Sequence, residues 1–318
     1  MAGFEIVWSR RLHLRSSAAA AADGSLVVAE RHSRLVRLDA GDGEVRWEQR
    51  VEDCWGTVVI AGAHCLYLSQ SGVLHCLAMD DGRPLWSVRG PAFRRHVAVS
   101  GGTVFAGGWR GYHPLVGFAL ADGRRVPGET TGDLAPPLPL PGADAVLVAD
   151  AKQALLLMTG AVEATWELPE PVLFADAGEA FRVAVDGRVV FVCGRRTVMA
   201  MVPGGAVDVL WRHSRDLRPI PPMLHDRTLW LVDDQGIAVV DLAGGTVTGV
   251  ARSRARAAAL IGGAPVFGFA DGSLAGADGP AARRLPRVER LLSGERGLIH
   301  AIGKGHVVTV VNPSEVRR

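Results

Sequence analysis

The side chains of this chain best suited to chemistry are gathered in its first third. His64-Cys65 and His75-Cys76 repeat one dipeptide of metal-ligand types, imidazole beside thiol. If a turn near Gln70–Gly72 joins two antiparallel strands, Cys65 faces Cys76 with β-carbons ~4.5–5.5 Å apart. His64 and His75 then point to the opposite face, because strand side chains alternate. Four ligands do not converge, so no metal is assigned and two thiols packed between sheets are expected.

A second group invites acid–base or nucleophilic work. His96 and His113 are candidate general acids or bases, with Asp53 orienting one of them. Cys54 becomes a nucleophile if Arg94 or His96 lowers its pKa. Around them stand Trp55, Phe93, Arg95, Trp109, Arg110 and Tyr112, in the segments DCWGT (53–57), AFRRH (92–96) and GWRGYHP (108–114). Arginine offers planar, bidentate donors to carboxylate or phosphate, and aromatic walls suit a planar organic molecule. Phosphate-loop, Gly-x-Ser-x-Gly and His-Glu-x-x-His motifs do not occur.

These segments need a scaffold, and the composition limits which. Hydrophobic residues make up 48% of the 318 and charged residues 21%, which excludes a disordered chain. Lys+Arg 35 against Asp+Glu 33 nominates neither nucleic acid nor membrane, and no apolar run approaches the ~18 residues of a membrane span. The basic runs RSRAR (252–256) and RRLPRVER (283–290) lack interleaved aromatics and read as solvated surface. Near the amino terminus the apolar positions are broken by Glu5, Arg10, Arg11, His13 and Arg15, unlike a secretory signal, and the four cysteines do not resemble a secreted disulfide framework. The expectation is a cytoplasmic protein. A composition heavy in Ala, Arg and Gly points to a high-GC bacterium.

The scaffold announces itself by repetition. Trp8, Trp47 and Trp86 are spaced by 39 residues, and Trp166 follows 80 later, with Val126 midway. Trp211, Val247 and Leu285 continue the series. Eight units of about 40 residues match four-stranded propeller blades. Within a unit, alternating apolar strands are separated by Gly/Asp turns, as in SLVVAE, then RLVRLDA, then EVRWEQRV. Hairpin glycines at Gly43, Gly82, Gly123, Gly205, Gly245 and Gly279 are expected to supply positive φ. The alanine runs 18–22 and 255–259 suit innermost strands, where a closed ring is crowded.

The last unit runs out one strand short, and Phe4–Arg10 matches the fourth strand of the first unit. The expected fold is therefore all-β, an eight-bladed propeller of four-stranded antiparallel blades. The amino-terminal strand closes it by completing the last blade; a seven-bladed ring is the alternative. One domain spans 1–318, with blades near 16–51, 56–89, 96–130, 136–170, 180–213, 219–251, 256–287, and 288–311 joined by 4–10.

The segments RLVRLDAGDGEVRWEQRV and LHCLAMDDGRPLWSVRG resemble the quinoprotein-type (PQQ-like) propeller repeat, Leu-x-Ala-x-x-Gly-x-x-x-Trp, at Leu38, Ala40, Gly43 and Trp47, then Leu77, Gly82 and Trp86. The resemblance implies that each outer-strand Trp docks on a neighbouring blade near the turn glycine. It also implies what is missing. The family's quinone enzymes use a vicinal cysteine pair and a calcium held by carboxylate and amide oxygens. This chain has no Cys-Cys pair and a single Asn, Asn312, so no quinone or other cofactor is assigned.

In such a blade, the loops between strands two and three and between blades share one face, the top. Its loops carry Arg15, Arg94, Arg95, Arg110 and Arg218, whereas the bottom turns carry Asp23, Asp42, Asp80, Asp122 and Asp186. The functional expectation is a ligand-binding or protein-interaction module. Its basic, aromatic-lined top pocket would take an acidic or planar small molecule, or a protein partner, with the chain a monomer. The alternative is a cofactor-free biosynthetic enzyme of secondary metabolism, catalysing cyclisation, rearrangement or hydrolysis with the His, Cys and Arg of that pocket. The proline loops 134–142 and 218–223 are the expected partner-facing segments.

Overall fold

Period-two alternation and Gly-bearing turns build eight antiparallel sheets in the computed structural model. It describes residues 4–31, 33–51, 54–89, 96–108, 113–140, 142–150, 154–175, 179–251, 255–261, 264–276 and 285–311. Blade 1 consists of Ser16–Ala22, Ser25–Glu30, Arg34–Asp39 and Val45–Arg50, numbered outward from the innermost strand. Blades 2 to 7 occupy 54–89, 96–130, 138–167, 181–212, 223–251 and 255–276 in the same order. Blade 7 shows three strands among the described residues. Blade 8 is assembled from Arg290–Ser293, Leu298–Ile302 and His306–Val311, with Glu5–Arg11 as its outermost strand.

Closure is thus a β-ladder between the two ends of the chain. Trp8 lies opposite Thr309, and Arg11 opposite His306. The core is distributed accordingly. Eight buried apolar clusters occur, each shared by two adjacent blades. The cluster joining Trp8, Ile302 and Val307 to Leu26, Val28 and Leu38 shuts the ring between blades 8 and 1. Middle strands such as Ser25–Glu30 are buried on both faces. That is why their apolar residues run consecutively instead of alternating.

The tryptophans carry the blade-to-blade contacts. The Nε1 donors of Trp8, Trp47 and Trp86 reach the carbonyls of Ala40, Met79 and Leu120 in the next blade, at 2.9, 2.8 and 2.9 Å. Each indole lies over a turn glycine, Gly43, Gly82 or Gly123, all at positive φ. At the junction of blades 3 and 4 Val126 packs against Gly160 instead.

The bottom turns explain their aspartates conformationally. Oδ1 of Asp42, Asp81, Asp122 and Asp186 accepts the amide two residues on, at 2.8, 3.0, 2.9 and 3.1 Å. In an Asp-Gly-x turn this bond fixes the bend that glycine makes available.

Three expectations are corrected. Cys65 faces Leu77, and Cys76 faces Leu66, so the thiols lie on opposite faces of their sheet, in clusters on either side of blade 2. A three-residue loop with Gly72 at φ 80° moves the register by one residue, and one residue reverses every side chain. In blade 5 the positive φ falls on Gly204, not Gly205, and Gly279 lies outside the described residues. Leu285 is not the outer-strand equivalent of a tryptophan. Its amide donates to the carbonyl of Gly272 at 2.8 Å, which puts it in a top-face connection.

Candidate functional site

The top face is held together by one device repeated around the ring. The last residue of a blade's second strand is tied to the chain arriving from the previous blade. Asp150 bridges to Leu134, Cys193 to Val172, and Asp233 to Leu217. In blade 1 this position is Glu30, 1% exposed, whose carboxylate accepts the amides of His13 and Leu14 at 3.2 Å and pairs with Arg34. Cys193 donates its thiol to the Glu170 carbonyl at 2.6 Å. A buried carboxylate is tolerable here because backbone N–H groups and a guanidinium satisfy it.

The candidate residues distribute as follows. His96 opens the inner strand of blade 3 and pairs with Gly107. The carbonyl of His113 accepts the Gly108 amide at 3.0 Å, so both histidines belong to the top of one blade. Both rings are buried, and Nε2 of His96 lies 3.0 Å from the Leu134 carbonyl, which fastens blade 3 to the connection into blade 4. Cys54 and Trp55 stand in the inner strand of blade 2, Cys54–Ala61, where the pairing jumps from Cys54–Ser69 to Val58–Tyr67. Asp53, Phe93, Arg94, Arg95, Trp109, Arg110 and Tyr112 lie outside the described residues.

Arg15 and Arg218 do not share a pocket. Arg15 is half exposed at the junction of blades 8 and 1, 3.9 Å from Glu289. Arg218 stands at the junction of blades 5 and 6, where its amide donates to the Val232 carbonyl at 2.8 Å. The ring separates them.

One cluster escaped the sequence reading. His213 and Asp233 are both buried, with Nε2 3.1 Å from Oδ2, and Arg215 reaches the same oxygen at 3.0 Å. Burial alone pushes the Asp233 carboxyl upward. Donors from His213, Gln235 and Gly236, with the charge of Arg215, outweigh it and hold the group below the usual carboxylate range. The signal available was positional. Glu30 and Asp150 end the second strand of a blade and Asp233 directly follows one, but the 20-residue separation of His213 and Asp233 disguises their contact.

Cys65, Cys76 and Cys193 are free and buried. Burial pushes the Cys76 thiol up to about 12 and raises that of Cys193. Among the described residues, no three of His, Cys, Asp and Glu stand together as a metal set.

Concave surfaces open between the blades, two of them as follows. One, of about 620 Å³, opens among the inner strands of blades 2 to 4 at their bottom ends and is lined by Ile60, Gly62, Val97, Gly101 and Pro139 among others. The other, of about 580 Å³, lies between blades 1 and 2, towards the outer strands and the top. Arg50 stands on its blade 1 wall and Arg89 on its blade 2 wall, with Tyr67, His75, Leu85 and Trp86 between.

The fold and these sites can be set beside known proteins. A family model described as outer membrane protein assembly factor BamB matches residues 5–130 and 53–249. Among solved structures, BamB from Moraxella catarrhalis superposes with a TM-score of 0.74 at 19% identity, covering 97% of each chain. The computationally designed Ika8 protein gives 0.73 at 14% identity, over 97% of this chain and 99% of its own. The C-terminal WD40 domain of Sif2 gives 0.69 at 12% identity, over 98% of both. At such identities the likeness is one of fold. No curated protein matches the chain.

Proposed function

The chain belongs to the PQQ-like propeller family whose model carries the BamB description, and from that premise we propose that it is a binding module that engages an acidic partner through its top face. The observation that carries this reading is the use made of its reactive side chains. His96 fastens one blade to the next connection, His213 is buried against Asp233, and the Cys193 thiol is given to a backbone carbonyl. Groups of catalytic type therefore brace the platform. Arginines stand at the blade junctions of the top, Arg15 exposed beside Glu289 and Arg218 part-buried. A rigid platform loses little entropy on binding, and guanidinium groups at its mouth favour carboxylates and phosphates. The assembly role in the family model's description suits a protein partner over a small molecule.

No helix among the described residues is long and apolar enough to cross a membrane. The test uses poly-glutamate as the acidic probe, with Arg95→Ala and Arg110→Ala on the loops predicted to crown blades 2 and 3. Both variants should bind it several-fold more weakly while melting at the parent temperature. Unchanged affinity in both would remove the top-face reading.

A further inference from the structure

We propose that the groove between blades 1 and 2 is a second interaction site, made for an extended acidic peptide segment carrying aromatic or aliphatic side chains. It rests on residues other than those of the top face and stands independently of them.

The walls define the occupant. The outermost strand of blade 2, Pro84–Arg89, borders the groove over its whole length, about 17 Å at ~3.3 Å per residue. That accommodates five or six residues of extended chain. The floor is apolar and aromatic. Val51 is buried at its base, and the rings of Tyr67 and His75 stack at 4.6 Å between centroids, only 7° from parallel. Leu85 is 37% exposed beside them, a large apolar side chain left partly open on an outer strand.

The charge of the groove is one-sided. Arg50 and Arg89, both exposed, stand at its upper end on opposite walls, with His75 between. Among the described residues that line it there is no carboxylate. On the top face, by contrast, several cations are matched within the protein: Arg195 and Arg196 by Asp216, Arg215 by Asp233, and Arg15 by Glu289. The described carboxylate nearest in sequence to this groove, Glu48, is taken by Arg34. Two arginines facing each other across an apolar trough, with no carboxylate partner among the described residues, match a chain whose acidic groups lie between them and whose apolar side chains enter the trough.

The probes are a random glutamate–tyrosine copolymer and poly-glutamate, titrated against the intact chain. The copolymer should bind at least ten-fold more tightly than poly-glutamate. Arg50→Glu with Arg89→Glu, and separately Leu85→Asp, should each remove that preference, while Arg95→Ala and Arg110→Ala leave it in place. Arg50, Arg89 and Leu85 are exposed, and melting temperatures verify the folding of every variant. Equal binding of the two polymers, no copolymer binding at millimolar concentration, or a preference that survives Arg50→Glu with Arg89→Glu would overturn the proposal. A loss confined to the Arg95 and Arg110 variants would move the site to the top face and also overturn it.

Discussion

Trp8 and Gly43 interlock across the seam of the ring. A β-carbon placed on Gly43 would fall 2.6 Å from Cε3 of Trp8, and the indole N–H reaches Ala40 in the same turn at 2.9 Å. Trp47 with Gly82, and Trp86 with Gly123, repeat this geometry within the chain. The seam is therefore built like an ordinary blade junction, which lets eight blades behave as one body.

The glycines opposite these tryptophans should be costly to replace. Gly82→Ala must strain a φ of 75° and displace the Trp47 ring 2.9 Å away, for a loss of roughly 3 kcal/mol. Gly245, at φ 63° with nothing within 4 Å, should cost only about 1 kcal/mol as alanine. Urea unfolding of the two variants measures the difference, and equal losses would deny the docking role.

The tryptophans themselves should divide into two kinds. Trp47→Phe loses the bond to Met79, a carbonyl that Arg37 also reaches. Trp211 buries an N–H with no acceptor among the described residues, so Trp211→Phe costs no such bond. Chemical denaturation should find Trp47→Phe more damaging by about 1 kcal/mol or more.

Acid should loosen the closing blade. His300 shares a hydrogen bond with Thr309 at 2.8 Å, and its ring lies 6.2 Å from that of Trp8. Burial lowers its pKa from 6.5 to about 4, so the folded state holds fewer protons than the unfolded chain between those values. Its effect is nil above pH 6.5 and grows as pH falls toward 4, reaching about 3 kcal/mol of lost stability. Unfolding free energies at pH 7 and pH 4.5 should converge in His300→Leu relative to the parent.

The described thiols should stay silent until the chain opens. In a Cys54→Ser background, a thiol reagent at pH 8 should modify Cys65, Cys76 and Cys193 only at the rate of unfolding, since all three are buried. Rapid labelling of Cys76 in the native protein would contradict its placement.

The sequence carried the architecture because the architecture is repetitive. The 39-residue spacing of Trp8, Trp47 and Trp86 reflects blade length, and the likeness of 4–10 to the strand around Trp47 announced the closure now seen as Trp8 opposite Thr309. Register was harder to read. A single residue more in the Ser69–Val73 loop, with Gly72 in a left-handed conformation, parted Cys65 from Cys76. The contact of His213 with Asp233 depends on two blades meeting, which local spacing does not encode. The use made of the His96 ring was not legible either, since its Leu134 carbonyl partner is 38 residues away.

The binding surfaces all presuppose a ring shut by its amino-terminal strand, and hydrogen exchange of the intact chain tests this most directly. Amides in 5–11 and 306–311 should be protected as strongly as those of blade 3, and Trp8→Ala should release both segments together. Fast exchange in 5–11 while 306–311 stays fully protected would contradict the closed ring.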